Sequence, residues 1–199
     1  MKTIGLLVTG VGGQGIILAS DIIGEAAISA GYDVKKTDTI GMAQRGGSVL
    51  SHVRMGDKVW SPLIREGEVD LLLAFEILEA ARWTNYLHRK STVIINHYAQ
   101  PPLSVNLGND KYPDDIEVKN LLNHRTSNVY YVEGNEQAAK AGDSRALNTF
   151  MLGCASCFLP LASGVWEETI AQRVPAKFKQ INMAAFEAGR KELSNVSRR

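Results

Sequence analysis

Near its N-terminus the chain passes from an apolar run into a cluster of glycines and then into a second apolar run with helical spacing. The first run, at residues 3–9, is mostly aliphatic and predicts a buried strand. Glycines follow at Gly10, Gly12 and Gly15, which fits the spacing G-x-G-x-x-G. A strand, a glycine-rich turn and a helix in this order form the first unit of an α/β domain with a mainly parallel sheet.

The same turn is a candidate anion-binding site. Glycines let backbone N–H groups approach a pyrophosphate at the N-terminus of a helix. The candidate binding residues are Gly10, Gly12, Gly13, Gln14 and Gly15. Glycine-rich turns also occur where the glycines only allow a helix to pack closely on a sheet. The pattern alone therefore leaves ligand binding and packing open.

Length and composition exclude several classes of protein. A chain of 199 residues favours one domain, covering residues 1–199. The 22 Lys and Arg residues nearly balance the 21 Asp and Glu residues, so no bulk charge favours nucleic acid or an anionic membrane. The first apolar run is too short for a signal peptide or a membrane span. Because only two cysteines occur, no disulfide framework is expected and a cytoplasmic location is favoured.

The rest of the chain alternates between apolar runs and amphipathic stretches, which predicts an α/β fold. A turn at residues 55–58 is expected to lead back into residues 59–60 as a hairpin inserted into the βαβ order. The predicted fold is therefore Rossmann-like, with a mainly parallel sheet, an inserted hairpin and a helical C-terminal third. Strands are predicted at 3–9, 33–38, 48–54, 69–75, 91–96 and 127–132, and helices at 14–30, 76–87, 114–124, 135–141, 147–163, 166–173 and 176–192.

Motifs that would supply chemistry within this chain are missing from the sequence. It contains no G-x-x-x-x-G-K-[ST] phosphate loop, no G-x-S-x-G elbow and no H-E-x-x-H helix. Cys154 and Cys157 lie in an apolar stretch and are interpreted as buried helical thiols, since no second cysteine pair completes a metal site. The four histidines are scattered. No catalytic residue and no metal ligand is predicted.

Asp38 is the candidate carboxylate for a ribose hydroxyl. It lies about 20 residues beyond the glycines, the usual separation in dinucleotide-binding domains. Two lysines stand next to it at Lys35 and Lys36. The alternative is an ordinary turn aspartate, which is slightly favoured.

A second loop with chemical character follows the second predicted strand. Arg45 precedes Gly46 and Gly47, so a guanidinium group lies next to bare backbone. This combination suits a phosphate or a carboxylate, and the loop is expected at the carboxyl end of the sheet, where ligands bind. Pairing of Arg45 with an acidic side chain across a subunit interface is an equally good interpretation.

Taken together, the two loops resemble those of the gamma-type subunit of 2-oxoacid:ferredoxin oxidoreductases. Within that family the beta subunits of indolepyruvate:ferredoxin oxidoreductases are the most similar. The likeness covers nearly the whole chain and is carried by residues 10–15, 41–49, 51–54, 61–64 and 70–79, and by Asn182, Phe186 and Gly189.

The resemblance implies a two-subunit enzyme that oxidatively decarboxylates an aryl 2-oxoacid such as indolepyruvate, forms an acyl-CoA and passes electrons to ferredoxin. Thiamine diphosphate, magnesium and 4Fe-4S clusters are then expected on the large partner subunit, and this chain alone is expected to bind no cofactor and to be inactive. The glycine loop and Arg45 would face a phosphate-bearing ligand, either CoA or the edge of the thiamine diphosphate site. Relatives acting on pyruvate, 2-oxoglutarate or branched-chain oxoacids share these loops, so the oxoacid stays open.

Two other interpretations remain. The glycine loop could serve a free-standing NAD-type oxidoreductase, although the chain is short of a substrate domain. Alternatively, the chain could be a purely structural subunit whose glycines only pack a helix against the sheet.

Overall fold

The computed structural model describes residues 3–41, 46–108 and 110–196. Six strands form one sheet in the order β2-β3-β1-β4-β5-β6. Strands β1, β4, β5 and β6 pair in parallel, whereas β3 runs antiparallel to both β1 and β2. The strands are β1 (Ile4–Val11), β2 (Asp33–Ile40), β3 (Ser48–Gly56), β4 (Val69–Ala74), β5 (Leu87–Asn96) and β6 (Asn128–Val132).

Helices cover both faces of the sheet. They are α1 (Ile16–Ser29), α2 (Ile77–Arg82), α3 (Leu103–Asn106), α4 (Asp115–Asn123), α5 (Gly134–Lys140), α6 (Leu147–Ser156), α7 (Ser163–Arg173) and α8 (Lys179–Leu193). Alternation along the strands explains the two layers: in β4, Leu71 and Leu73 pack with α1, α6, α7 and α8, whereas Leu72 packs with α2 and α4. The α/β class, the mainly parallel sheet and the helical C-terminal part were predicted correctly.

The hairpin lies elsewhere than predicted. Strand β3 already pairs with β2 on one edge and β1 on the other, so no edge is left for residues 59–60. The Val59 N–H instead donates to Asp33 Oδ2 at 2.9 Å, and Trp60 is 86% exposed. The hairpin of this fold is formed by β2 and β3 themselves.

Several helix boundaries also differ from the prediction. The helix expected at 147–163 ends at Ser156, and α7 begins at Ser163, because Pro160 cannot donate within a helix and disfavours helical backbone before it. The helix expected at 76–87 is the shorter α2 followed by a 3-10 turn. The predicted stop at Gly31 is confirmed, since Gly31 has φ +89° and follows Ala30, the C-cap residue of α1.

Helices α6 and α8 cross at two glycines. A Cβ added to Gly153 would lie 2.1 Å from the carbonyl oxygen of Phe186, and one added to Gly189 would lie 2.0 Å from that of Phe150. Real Cβ atoms do not approach backbone this closely. The two glycines therefore allow the C-terminal helix to lie directly against α6 in the core.

Candidate functional site

The two loops singled out in the sequence meet at the carboxyl edge of the sheet. The N–H of Gly12 donates to the carbonyl oxygen of Gly47 at 2.8 Å, and the N–H of Gly46 faces the carbonyl oxygen of Gly12 at 3.4 Å. The predicted placement at this edge is confirmed for the glycine loop and, in the second loop, for Gly46 and Gly47. Arg45 lies outside the described residues, so its predicted role stays a prediction.

Close packing accounts for two of the glycines. Gly10 lies within β1, where an added Cβ would be 2.5 Å from Ile16 Cδ1. Gly15 has φ +75°, and a Cβ there would be 2.2 Å from Asn148 Nδ2. Gly13 differs, because it has φ +106° but an added Cβ would meet no atom within 4 Å. The backbone at Gly13 is therefore the part of the loop that is open to a ligand.

Gln14 holds the turn closed. Its side-chain Oε1 accepts the Val11 N–H at 2.8 Å, and its own N–H donates to the Val11 carbonyl oxygen at 3.0 Å. Helix α1 then begins after Gly15 with no side-chain cap and no acidic residue in its first turn. The uncapped N-terminus of a 14-residue helix carries partial positive charge, which can stabilise a phosphate or a carboxylate.

A cavity of about 440 Å³ opens beside this turn. Gly13 and Gly15 form one wall, and Gln100, Arg145 and Asn148 supply polar groups around it. Arg145 is held by a salt bridge to a neighbouring aspartate at 2.6 Å. Sequence reasoning missed these three side chains because they come from distant segments, and only the fold brings them to the glycine turn.

Sequence reasoning also missed two buried carboxylates at the start of α2, Glu76 and Glu79, which are 1% and 4% exposed. Burial raises the pKa of Glu79, while a hydrogen bond from Ser48 opposes that rise. Glu76 follows the buried run 69–75 directly, at the carboxyl end of a parallel strand, and that position is the signal that could have revealed it.

Asp38 is not the turn aspartate of the alternative interpretation. It lies within β2 and not in a turn. Its carboxylate pairs with Lys36 Nζ at 2.8 Å and accepts the Ser51 hydroxyl at 2.6 Å. These contacts give Asp38 a structural role that ties the β2–β3 hairpin together, and its role toward a ribose stays a prediction.

The remaining titratable side chains that the structure describes do not come together as a metal centre. Hydrogen bonds to Asp115 and Glu133 raise the pKa of His97 on the surface. Cys154 is buried and Cys157 is half-buried, and both are free thiols on or beside α6. Within the described ranges no group of three His, Cys, Asp or Glu side chains is placed to hold a metal ion.

None of the helices in the described part of the chain has both the length and the apolar character needed to cross a bilayer.

Comparison with known proteins identifies the family. The family model described as pyruvate ferredoxin/flavodoxin oxidoreductase matches residues 5–192. The chain belongs to this family. Among family relatives, the indolepyruvate oxidoreductase subunit IorB of Pyrococcus horikoshii is 36% identical, with 98% of this chain and all of the relative covered. IorB of Archaeoglobus fulgidus is 40% identical, with 92% of each chain covered.

A solved structure gives the same fold. The pyruvate oxidoreductase subunit PORC of Thermotoga maritima matches with a TM-score of 0.74 and 19% identity, covering 96% of this chain and 97% of its own. The pyruvate ferredoxin/flavodoxin oxidoreductase family therefore accounts for nearly the entire chain. The resemblance drawn from the two loops is confirmed, and the chain is a member of an oxidoreductase family.

Proposed function

We propose that this chain is the non-cluster subunit of a heteromeric indolepyruvate:ferredoxin oxidoreductase. The observation that carries the proposal is the identity of 36–40% to two IorB subunits over nearly their full lengths. The complex would oxidatively decarboxylate an aryl 2-oxoacid, transfer the acyl group to CoA and pass the electrons to ferredoxin. Because the chain has only two cysteines and both are free thiols, a cytoplasmic location is proposed with it.

The division of labour follows from the residues of this chain. A 4Fe-4S cluster takes four cysteine thiolates, and this sequence has two cysteines, of which Cys154 is completely buried. The clusters are therefore assigned to a larger partner subunit, and the family likeness supports assigning thiamine diphosphate and magnesium to the same subunit. When bound there, thiamine diphosphate supplies the carbanion chemistry of decarboxylation. This chain supplies a preformed loop that closes one side of the cleft.

The ligand proposed for that loop is a phosphate-bearing group, either CoA or the edge of the thiamine diphosphate pocket. Three features support it: the uncapped N-terminus of α1, the open backbone at Gly13 and the adjoining cavity. Backbone N–H groups at a helix N-terminus and a nearby arginine are the usual partners of phosphate. Arg45, with Gly46 and Gly47, is proposed to face the same group.

Purification of the tagged chain from its native cells tests the assembly. We expect a large partner containing iron, sulfur and thiamine diphosphate to co-purify, and the eluate to reduce a dye when indolepyruvate and CoA are both present. Activity with pyruvate, 2-oxoglutarate or branched-chain oxoacids in place of indolepyruvate would reassign the substrate. A lone chain that binds NAD would refute the subunit proposal.

The Arg45 assignment has its own test in the complex. Arg45→Ala should weaken CoA binding by roughly tenfold or more, because a charge-assisted hydrogen bond to phosphate is lost. Arg65→Ala is the matched control, since Arg65 is exposed on a loop outside the cavity. Equal CoA affinity in Arg45→Ala and the control would exclude a direct role for Arg45.

A further inference from the structure

The buried carboxylates Glu76 and Glu79 have partners beyond their own helix. Glu76 caps α2, since its Oε2 accepts the Glu79 N–H at 2.8 Å. Glu79 Oε1 pairs with Arg82 at 3.1 Å, which leaves Oε2 facing the sheet. Burying a carboxylate is costly unless hydrogen bonds satisfy it. Each of these groups therefore fixes the position of whatever donates to it.

Glu79 is connected to one side of the glycine loop. Its Oε2 accepts the Ser48 hydroxyl at 2.5 Å and lies 3.3 Å from the Thr9 hydroxyl. Ser48 directly follows Gly47, whose carbonyl oxygen accepts the Gly12 N–H at 2.8 Å. Two consecutive contacts thus link a buried charge on α2 to the backbone of the glycine loop.

Glu76 is connected to the other side. Its Oε1 accepts the Gln100 N–H at 3.0 Å and the hydroxyl of Tyr112. The Gln100 side chain in turn faces Gln14 Nε2 at 3.5 Å. Since burial and the neighbouring carboxylate raise the pKa of Tyr112, its hydroxyl stays protonated and able to donate.

We propose that Glu76 and Glu79 are positioning residues that hold the two segments flanking the glycine loop, and so set the conformation in which the loop receives its ligand. Glu79 acts through Ser48, and Glu76 acts through Gln100. Neither carboxylate lies in the cavity, so neither is expected to touch a ligand. The effect on catalysis rests on the function proposed above, whereas the effect on loop conformation does not.

The first measurement is hydrogen exchange by mass spectrometry on the complete complex. Ser48→Ala removes the donor to Glu79 with little change in volume, and we expect faster exchange in the peptide that contains Gly12. Ser48→Thr keeps the hydroxyl and should restore slow exchange. Ser51→Ala is the matched control, because Ser51 also donates to a carboxylate, Asp38, but from the opposite face of β3.

The second measurement is steady-state kinetics of the same variants. Loss of a hydrogen bond to a charged group should raise the KM for CoA roughly tenfold in Ser48→Ala, with kcat changed by less than about twofold. Ser48→Thr and Ser51→Ala should keep the original KM. Tyr112→Phe tests the other arm and should speed exchange around Gln100.

The two measurements separate this inference from the proposed function. Faster exchange with a raised KM supports both. Faster exchange with an unchanged KM supports positioning of the loop by Glu79 but excludes CoA as the ligand of the loop. Unchanged exchange in the peptide that contains Gly12 overturns the positioning role, whatever happens to the KM.

Discussion

Replacing Gly15 by alanine should destabilise the chain for two separable reasons. Gly15 has φ +75°, and holding an alanine in this left-handed conformation costs about 1–2 kcal/mol. The new Cβ would also lie 2.2 Å from Asn148 Nδ2, which donates to the Gly15 carbonyl oxygen at 2.6 Å. Displacing that side chain forfeits about 1 kcal/mol of hydrogen bonding. The expected loss is therefore about 2–3 kcal/mol.

A double-mutant cycle distinguishes the two contributions. In an Asn148→Ala background the hydrogen bond is already absent, so Gly15→Ala should cost only the backbone strain of about 1–2 kcal/mol. Urea unfolding of the purified chain measures this as a shift of the midpoint by about 1 M in the single variant and by less in the double variant. Gly13→Ala is the control, because its Cβ meets nothing within 4 Å and its cost should add to that of Asn148→Ala.

Additive costs for Gly15→Ala and Asn148→Ala, within about 0.5 kcal/mol, would refute the contact described here. Such a result would mean that Asn148 moves aside freely, and that only the backbone conformation requires a glycine at this position.

Three further predictions concern packing, pH and thiol reactivity. Gly189→Ala should lower the free energy of unfolding by at least about 2 kcal/mol, because the clash of the new Cβ with α6 outweighs the gain in helix propensity. The control is Gly164→Ala in α7, where an added Cβ meets no atom within 4 Å and should not destabilise the chain. The carboxylates of Asp115 and Glu133 raise the pKa of His97 above 6.5. The stabilisation that protonated His97 contributes is therefore complete below about pH 6.5 and is lost as the pH rises through the folded-state pKa. The difference in unfolding free energy between the parent and His97→Gln should shrink from pH 6 to about pH 9. A thiol reagent should label half-buried Cys157 before buried Cys154, which should react only on unfolding, and equal labelling rates would contradict the packing of α6.

The elements with strong local signals were predictable from the sequence. The apolar run at 69–75 and the glycine stop at Gly31 need no tertiary information to be recognised. The hairpin was misplaced because residues 55–58 carry a good turn signal, whereas the decision depends on which strand occupies each edge of β3. Pairing between strands distant in sequence is not encoded in local pattern.

In the candidate site, too, the parts with a local sequence signal were predictable and the parts that depend on the fold were not. Glycine spacing predicted the loop, because a turn followed by a helix is a local feature. Gln100 comes from one segment and the pair Arg145 and Asn148 from another, and both segments reach the glycine turn only after the chain has folded, so nothing near them in the sequence marks them as its neighbours. Glu79 is a similar case, since an acidic residue on a short helix is usually solvated and here the contacts with Thr9 and Ser48 depend on two other strands.

The central position of β1 also governs the order in which this chain can fold during synthesis. Strand β1 is made before both of the strands that pair with it, since Val8 pairs with Ser51 and Leu6 with Leu71. The outer side of α1 must wait still longer for α7. The edge of β1 that faces β3 therefore stays unpaired until Ser51 is made, and the edge that faces β4 stays unpaired until Leu71 is made. During this interval the unpaired edges of a largely buried strand expose the nascent chain to aggregation.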